Sequence, residues 1–478
     1  MPGSITAGGP HLTGPEAVMW ILDDEPALRS TFISVSVLDR PVDVDRLRAR
    51  MARAVEAIPA LRRRLAPTPL DLAPPRWEDD PDFDLVRHVR RTTLPAPGTR
   101  RQLLDLAAAR CAEPFDRHRP LWELVLVDGL EDGGGALLAK MHHVLSDGVG
   151  AIRISASFLD LSPDADLSEP PPPVDPLPPS PPPAPGWLWS TAHTVGPILS
   201  ANADELRRGV AALAGGVSGI VRSPASGAAR AWNTARSVAR QVGSNDSARS
   251  PLWTGRAHDH HFEVTSLDLD RIKSAGTALG GTVNDAFVTI MASAAGAYHR
   301  ARGVDVGDLR VNVPISVRQD HAAAGNAWVP MRLLIPAGEL PPAERFAEVH
   351  RRLGAAKADP SLGLADGLAS SVRRLPRPLL VRLALHQVAA VDFACSNVRG
   401  APFDLWIAGS HVEANFPFGP TVGVAFNATV LSYRSALDLG LHIDGGAVDD
   451  PALLLRCVED AGAELLAAGS GPRRGRPR

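Results

Sequence analysis

The chain has 478 residues, 45% of them apolar and 22% charged. That is the balance of a folded globular protein, with length enough for two domains of ordinary size. A formal net charge of −3 gives no reason to expect a nucleic-acid partner. Cys111, Cys395 and Cys457 are widely spaced and odd in number, so they suggest neither a disulfide framework nor a zinc pattern, and a reducing cytoplasm is expected. Residues 1–14 have no basic start and no apolar core, so no signal peptide is expected there. No apolar run approaches the length of a membrane-spanning helix, and any membrane contact is expected to be peripheral.

In chain order, residues 31–38 alternate like a strand. Residues 42–65 follow with helical spacing through Leu47, Met51, Val55 and Ile58, with Asp43 or Asp45 to start the helix. Residues 103–111 read as helix. Residues 122–127 and 136–141 read as two strands joined by a glycine-rich hairpin over 129–135, and a helix is expected over 149–161. Between 170 and 185 stand eleven prolines, each fixing φ and removing a backbone donor, so this stretch is expected to be an extended linker. Residues 187–243 are rich in alanine and valine, carry Trp187, Trp189 and Trp232, and read as short connecting helices.

The second half opens with a strand at 261–267. It continues with a helix from 269, a second helix entered through Thr282-Val283-Asn284-Asp285-Ala286, and a strand at 309–314. Helices near 342–356 and 376–390, strand-like stretches at 403–413 and 421–432, and a final helix over 451–467 complete the reading. Strands and helices mix without strict alternation, which predicts an α/β fold with mixed sheets in two domains. The expected units are residues 1–162, a linker and connector over 163–257, and residues 258–478.

Chemistry concentrates in His142-His143-Val144-Leu145-Ser146-Asp147-Gly148, placed at the end of a predicted strand. Neighbouring strand side chains point to opposite faces, so one imidazole can face a cavity while the other packs or orients it. Gly148 and Gly150 permit a sharp turn, and Ser146 or Asp147 can cap a following helix. Imidazole suits acyl transfer because its ordinary pKa, about 6.5, lies near working pH. A thioester needs little help to expel its thiolate, so one histidine base can serve without a covalent intermediate.

His142 to Gly148 resembles the HHxxxDG signature of the CoA-dependent acyltransferase superfamily. The surrounding blocks resemble its bacterial wax ester synthase/acyl-CoA:diacylglycerol acyltransferase branch. They are Pro59-Ala-Leu-Arg-Arg-Arg-Leu65, Pro120-Leu121-Trp122, Val283-Asn284-Asp285, Val311-Asn-Val-Pro-Ile-Ser-Val-Arg318 with Gly325-Asn326, Ser396-Asn397-Val398-Arg399-Gly400, and Leu431-Ser-Tyr-Arg-Ser435. The resemblance covers the chain from about Leu12 to Leu466. It departs from the family at Arg399, where proline is common, and in the early block Gly14 to Trp20.

This resemblance implies two similar domains, each a mixed β-sheet flanked by helices, with an active-site tunnel at their interface. It implies an O-acyltransferase that moves a fatty acyl group from acyl-CoA to diacylglycerol, forming triacylglycerol, with long-chain fatty alcohols as the alternative acceptors. His143 is then the general base, supported by His142 and Asp147. Gly148, Asn284, Asp285 and Asn397 shape or support the substrate site. No cofactor or metal is implied, acyl-CoA being a substrate. The expected location is cytoplasmic, against a membrane surface or lipid droplet.

Plainer readings stand beside these. Asp147 can be a helix cap and nothing more, Asn284-Asp285 can cap the helix that follows, and Pro120-Leu121-Trp122 reads as a packing element. His258-Asp259-His260-His261 reads as a strand start rather than a metal site. A carrier-protein-dependent acyltransferase and a non-catalytic lipid-droplet protein are the rival functions.

Overall fold

The computed structural model describes residues 11–66, 74–145, 154–165, 249–316, 328–358 and 376–470. Asp147, Gly148, Gly325, Asn326 and most of the expected linker and connector lie outside the described residues.

In the first half, α1 (Gly14–Leu22) leads to β1 (Thr31–Leu38), α2 (Val44–Ala57), β2 (Arg63–Ala66) and β3 (Arg76–Asp79). Then come α3 (Leu85–His88), β4 (Val89–Thr93), α4 (Arg100–Ala112), β5 (Trp122–Asp128), β6 (Gly135–His142) and β7 (Leu159–Asp160). The second half begins with β8 (His260–Asp268), α5 (Leu269–Ala278), α6 (Val283–Ala301), β9 (Asp308–Ser316) and β10 (Trp328–Pro336). It continues with α7 (Pro342–Lys357), α8 (Arg377–Val388), β11 (Phe393–Arg399), β12 (Trp406–Ile407), β13 (Ser410–Phe418), β14 (Phe426–Tyr433), β15 (Ala436–Asp444) and α9 (Pro451–Gly469).

The helix expected over 42–65 stops at Ala57. Asp43 caps its start by accepting from the Asp45 and Arg46 N–H groups. Pro59 ends it, because a proline ring disfavours helical geometry in the residue before it, and Ile58 sits at φ −121°, ψ 85°. The freed chain pairs as β2 with β3. The helix expected to run through 161 likewise gives way to strand at Leu159, where β7 pairs with β12 and the Asp160 carboxylate meets Arg50 at 2.6 Å.

The first sheet has the order β4-β5-β6-β1-β13-β12-β7, and the second β10-β9-β11-β14-β15-β8. Both are mixed, since β4–β5, β9–β11 and β11–β14 are parallel pairs among antiparallel neighbours. β12 and β13, from the segment 258–478, are hydrogen-bonded into the first sheet, with β13 beside β1. Helices pack on both sheets, as in α6, which buries Phe287, Ile290, Met291 and Tyr298. Gly296 lets α6 approach the Ala337 carbonyl so closely that a Cβ there would lie 1.8 Å from the oxygen.

β6 explains why its sequence lacks alternation. It lies between β5 and β1, and all eight of its residues are buried. Leu137, Ala139 and Met141 pack into the layer holding Leu47, Met51 and Val55, while Ala136 and Leu138 pack with Leu103, Leu104 and Ala107. A strand covered on both faces reads as one apolar run.

The layer around α4 also joins the two sheets. Phe262 of β8 stacks on Phe418 of β13 with centroids 4.0 Å apart, and Arg101 of α4 meets Glu263 at 3.1 Å. His260 and His442 meet at the same junction, with Cys111 near them. His260 Nδ1 lies 2.6 Å from His442 Nε2, a hydrogen-bond distance. Two nitrogens on a tetrahedral zinc would stand roughly 3.3 Å apart. The His442 imidazole is pushed down to about 3, first by burial and then by the neighbouring His260.

Candidate active site

β1 and β6 run antiparallel in a register that sets Thr31 opposite His142. The start of one strand therefore stands beside the end of the other, and the paired histidines emerge there. His142 is fully buried. Its ring is walled by Trp20 and Phe115, both edge-on, with centroids 6.1 and 6.4 Å away. His143 is half-buried, and its ring lies against Phe32 with centroids 4.7 Å apart. The adjacent imidazoles thus occupy different environments, as strand geometry predicts.

The turn beyond β6 is held residue by residue. The His142 N–H donates to the Leu121 carbonyl at 3.1 Å, the His143 N–H to the Ser30 carbonyl at 3.0 Å, and the Leu145 N–H to the His142 carbonyl at 3.0 Å. The Val144 N–H donates to His142 Nδ1 at 3.1 Å. Because Nδ1 accepts, the ring proton sits on Nε2, which faces Asp23 Oδ1 at 2.8 Å. Asp23 Oδ1 also accepts from the Ser30 N–H at 3.1 Å. Burial pushes the Asp23 carboxyl up, but the His142 contact, the Ser30 N–H and Arg117 outweigh it and hold the carboxyl below its ordinary value.

Pro120-Leu121-Trp122 acts as packing. Trp122 is buried, donates from Nε1 to the Leu61 carbonyl at 2.7 Å, and stacks on His88. A cavity of about 420 Å³ beside it is lined by Phe115, Lys140, Arg87, Arg90 and Arg119 among others; His142 and His143 are not in its wall.

Asn284 and Asn397 are brought together from α6 and β11, Asn397 Nδ2 donating to Asn284 Oδ1 at 3.3 Å. Asp285 faces elsewhere. Its Oδ2 accepts from the Thr282 N–H at 2.9 Å, and Thr282 Oγ1 in turn accepts from the Asp285 N–H, closing a capping box. Asp285 Oδ2 also meets His350 Nδ1 at 2.9 Å. Arg399 is exposed at the end of β11.

Sequence reasoning missed Asp23, Ser30 and Trp20. The signal that could have found them is the antiparallel pairing of β1 with β6, which brings residues just ahead of β1 beside His142.

The wax ester synthase/diacylglycerol acyltransferase catalytic-domain model matches residues 18–287, and the family's C-terminal-domain model matches 324–465. A probable diacylglycerol O-acyltransferase of Mycobacterium tuberculosis (strain CDC 1551) is 30% identical over 470 residues, covering 96% of each chain. Among solved structures, a wax ester synthase/diacylglycerol acyltransferase from Marinobacter aquaeolei VT8 aligns with TM-score 0.63 and 23% identity, over 96% of this chain and 100% of that one. The first condensation domain of the calcium-dependent antibiotic synthetase aligns with TM-score 0.56 and 15% identity over 97% of each chain, a likeness of fold. The chain belongs to the wax ester synthase/diacylglycerol acyltransferase family and is an acyltransferase.

Proposed function

We propose that the chain transfers a fatty acyl group from acyl-CoA to the free hydroxyl of diacylglycerol, forming triacylglycerol, with His143 as general base. The observation that carries this reading is the asymmetry of the histidine pair: His142 is fully buried, while His143 is half-buried on a turn held at four successive backbone amides. In the proposed reaction His143 takes the acceptor's hydroxyl proton as that oxygen bonds to the thioester carbonyl carbon. The tetrahedral species then expels the CoA thiolate by breaking the carbon–sulfur bond, and the imidazolium returns its proton to the sulfur. Both substrates are present together in a tunnel between the two halves, no acyl-enzyme forms, and no resident cofactor takes part. Asn284 and Asn397 are assigned to the acceptor side, and Asp147 and Gly148 are assigned supporting roles beside the base.

The names of the relatives support diacylglycerol as acceptor, and fatty alcohol is the alternative. Purified protein with labelled palmitoyl-CoA is expected to acylate diacylglycerol faster than hexadecanol, with products resolved by thin-layer chromatography. Faster turnover of hexadecanol would reverse the acceptor assignment and leave the chemistry in place.

No helix among the described residues is long and apolar enough to cross a membrane. We propose peripheral docking on a membrane or lipid droplet from the cytoplasm. It is supported by Trp187 and Trp189 with arginines at 207, 208, 222, 230, 236 and 240, since tryptophan favours the lipid interface and arginine is drawn to anionic headgroups. Replacing these residues is expected to reduce flotation with anionic liposomes; unchanged flotation would exclude the segment as the docking element.

A further inference from the structure

Asp23 belongs to none of the sequence blocks that carry the family resemblance, yet it stands behind the histidine pair. We propose that Asp23 is a positioning residue for acyl transfer, holding through one carboxylate oxygen both supports of the turn that carries His143. The inference rests on the reading of His143 as the base.

Two routes lead from that oxygen to the turn. Along the first, Oδ1 takes the Ser30 N–H at 3.1 Å, and the carbonyl of the same serine takes the His143 N–H at 3.0 Å. Along the second, Oδ1 faces His142 Nε2 at 2.8 Å, and His142 Nδ1 takes the Val144 N–H at 3.1 Å. The second route works in one tautomer only. If the ring proton moved to Nδ1, two N–H groups would oppose each other at Val144 and the bare Nε2 would face a carboxylate. Asp23 therefore selects the form of His142 that can hold the turn. An acidic residue orients an imidazole in the same way in hydrolase triads, but there the oriented ring is the base itself. Here the oriented ring is its neighbour, and the effect reaches His143 through the backbone.

The turn that presents Asp23 is itself clamped. Asp24 meets Arg117 at 2.9 Å and Arg377 of α8 at 2.5 Å, and the Arg117 guanidinium lies over the Trp20 ring at 4.1 Å. α1, the segment ahead of β5 and a helix of the second half thus converge on Asp23 and Asp24. A buried polar contact is weak evidence for stability. One whose partners anchor consecutive amides beside a half-buried imidazole fits a role in geometry.

The test uses full-length protein with palmitoyl-CoA and diacylglycerol. Displacing a reacting group by about 1 Å can cost on the order of 100-fold, so Asp23→Ala is expected to lower kcat by roughly 10- to 100-fold with KM for palmitoyl-CoA little changed. Asp23→Asn keeps an oxygen that accepts from the Ser30 N–H and faces His142 Nε2, and is expected to recover most of that loss. His142→Ala should add little in an Asp23→Ala background, because both remove the same support. Full kcat in folded Asp23→Ala, equal losses in the Asn and Ala variants, or losses from Asp23→Ala and His142→Ala that multiply would each overturn the proposal. Should Asp23→Ala fail to fold, His142→Phe keeps a ring without its nitrogens and carries the test. A comparable loss of kcat is expected, and full turnover overturns the proposal. Inactive His143→Ala beside fully active Asp23→Ala would leave the base assigned and remove the positioning role; active, folded His143→Ala would remove the base and this inference with it.

Discussion

Replacing His143 with alanine is expected to lower turnover by about 10²- to 10⁴-fold, the range for losing a placed general base. The protein should remain folded. The His143 side chain is half-buried and packs on Phe32, while its backbone N–H, which pairs with the Ser30 carbonyl, survives the substitution. Far-ultraviolet circular dichroism and the unfolding midpoint should therefore match those of the parent. His142→Ala should lose less turnover and more stability, because that ring is fully buried against Trp20 and Phe115 and accepts the Val144 N–H. This opposite ordering separates the base from its support. Near-parental activity in folded His143→Ala, or an acyl group trapped covalently on any side chain, would exclude the direct-transfer mechanism.

The parts of this site that could be read in the sequence are those written within a few residues of each other. His142 ends a strand, with His143 next to it, because Ala136 to Met141 is apolar except for Lys140, and such a run marks a strand buried on both faces. Thr282 and Asp285 are three residues apart and form the capping box that spacing predicts. What could not be read depends on partners far along the chain. Asp23 looks like part of an acidic surface turn with Asp24 and Glu25, and only the β1–β6 register carries it 119 residues forward to His142. β15 had a legible period-two pattern, and what depended on distant partners was the burial of both its faces. Leu437, Leu439, Leu441 and Ile443 alternate with polar residues or glycine, the pattern of a half-exposed strand, yet the polar face is buried too, on distant partners: Ser266 and the Asn415 N–H for Asp438, His260 and the Gly419 carbonyl for His442, and the Ala257 and His258 N–H groups for Asp444. The transfer of β13 to the first sheet also escapes periodicity, since a strand's alternation names the face it buries and not the sheet it joins.

The largest loss of stability from a single substitution around the site is expected at Trp122. Its ring is almost wholly buried between His88 and the layer holding Leu61, Met141 and Leu124, and it is among the largest fully buried side chains described. Truncation to alanine removes that volume from a layer made of four separate elements, α2, β5, β6 and the segment around Leu61, which have limited freedom to collapse into the space. Large aromatic-to-alanine changes in such cores cost about 3–5 kcal/mol. Trp122→Phe keeps an aromatic ring but removes the Nε1–H that bonds the Leu61 carbonyl at 2.7 Å, leaving a buried acceptor without its donor. That change is expected to cost about 1–3 kcal/mol. The comparison is made by urea unfolding of the three proteins, read as free energy from midpoint and slope. Turnover offers a second readout, because the neighbouring Leu121 carbonyl takes the His142 N–H. If the ring acts only by packing, Trp122→Phe should keep most of its kcat at temperatures where it stays folded. A Trp122→Ala protein within about 1 kcal/mol of the parent would show that this layer relaxes freely. A Trp122→Phe protein that is stable yet inactive would show that the indole does more than fill space.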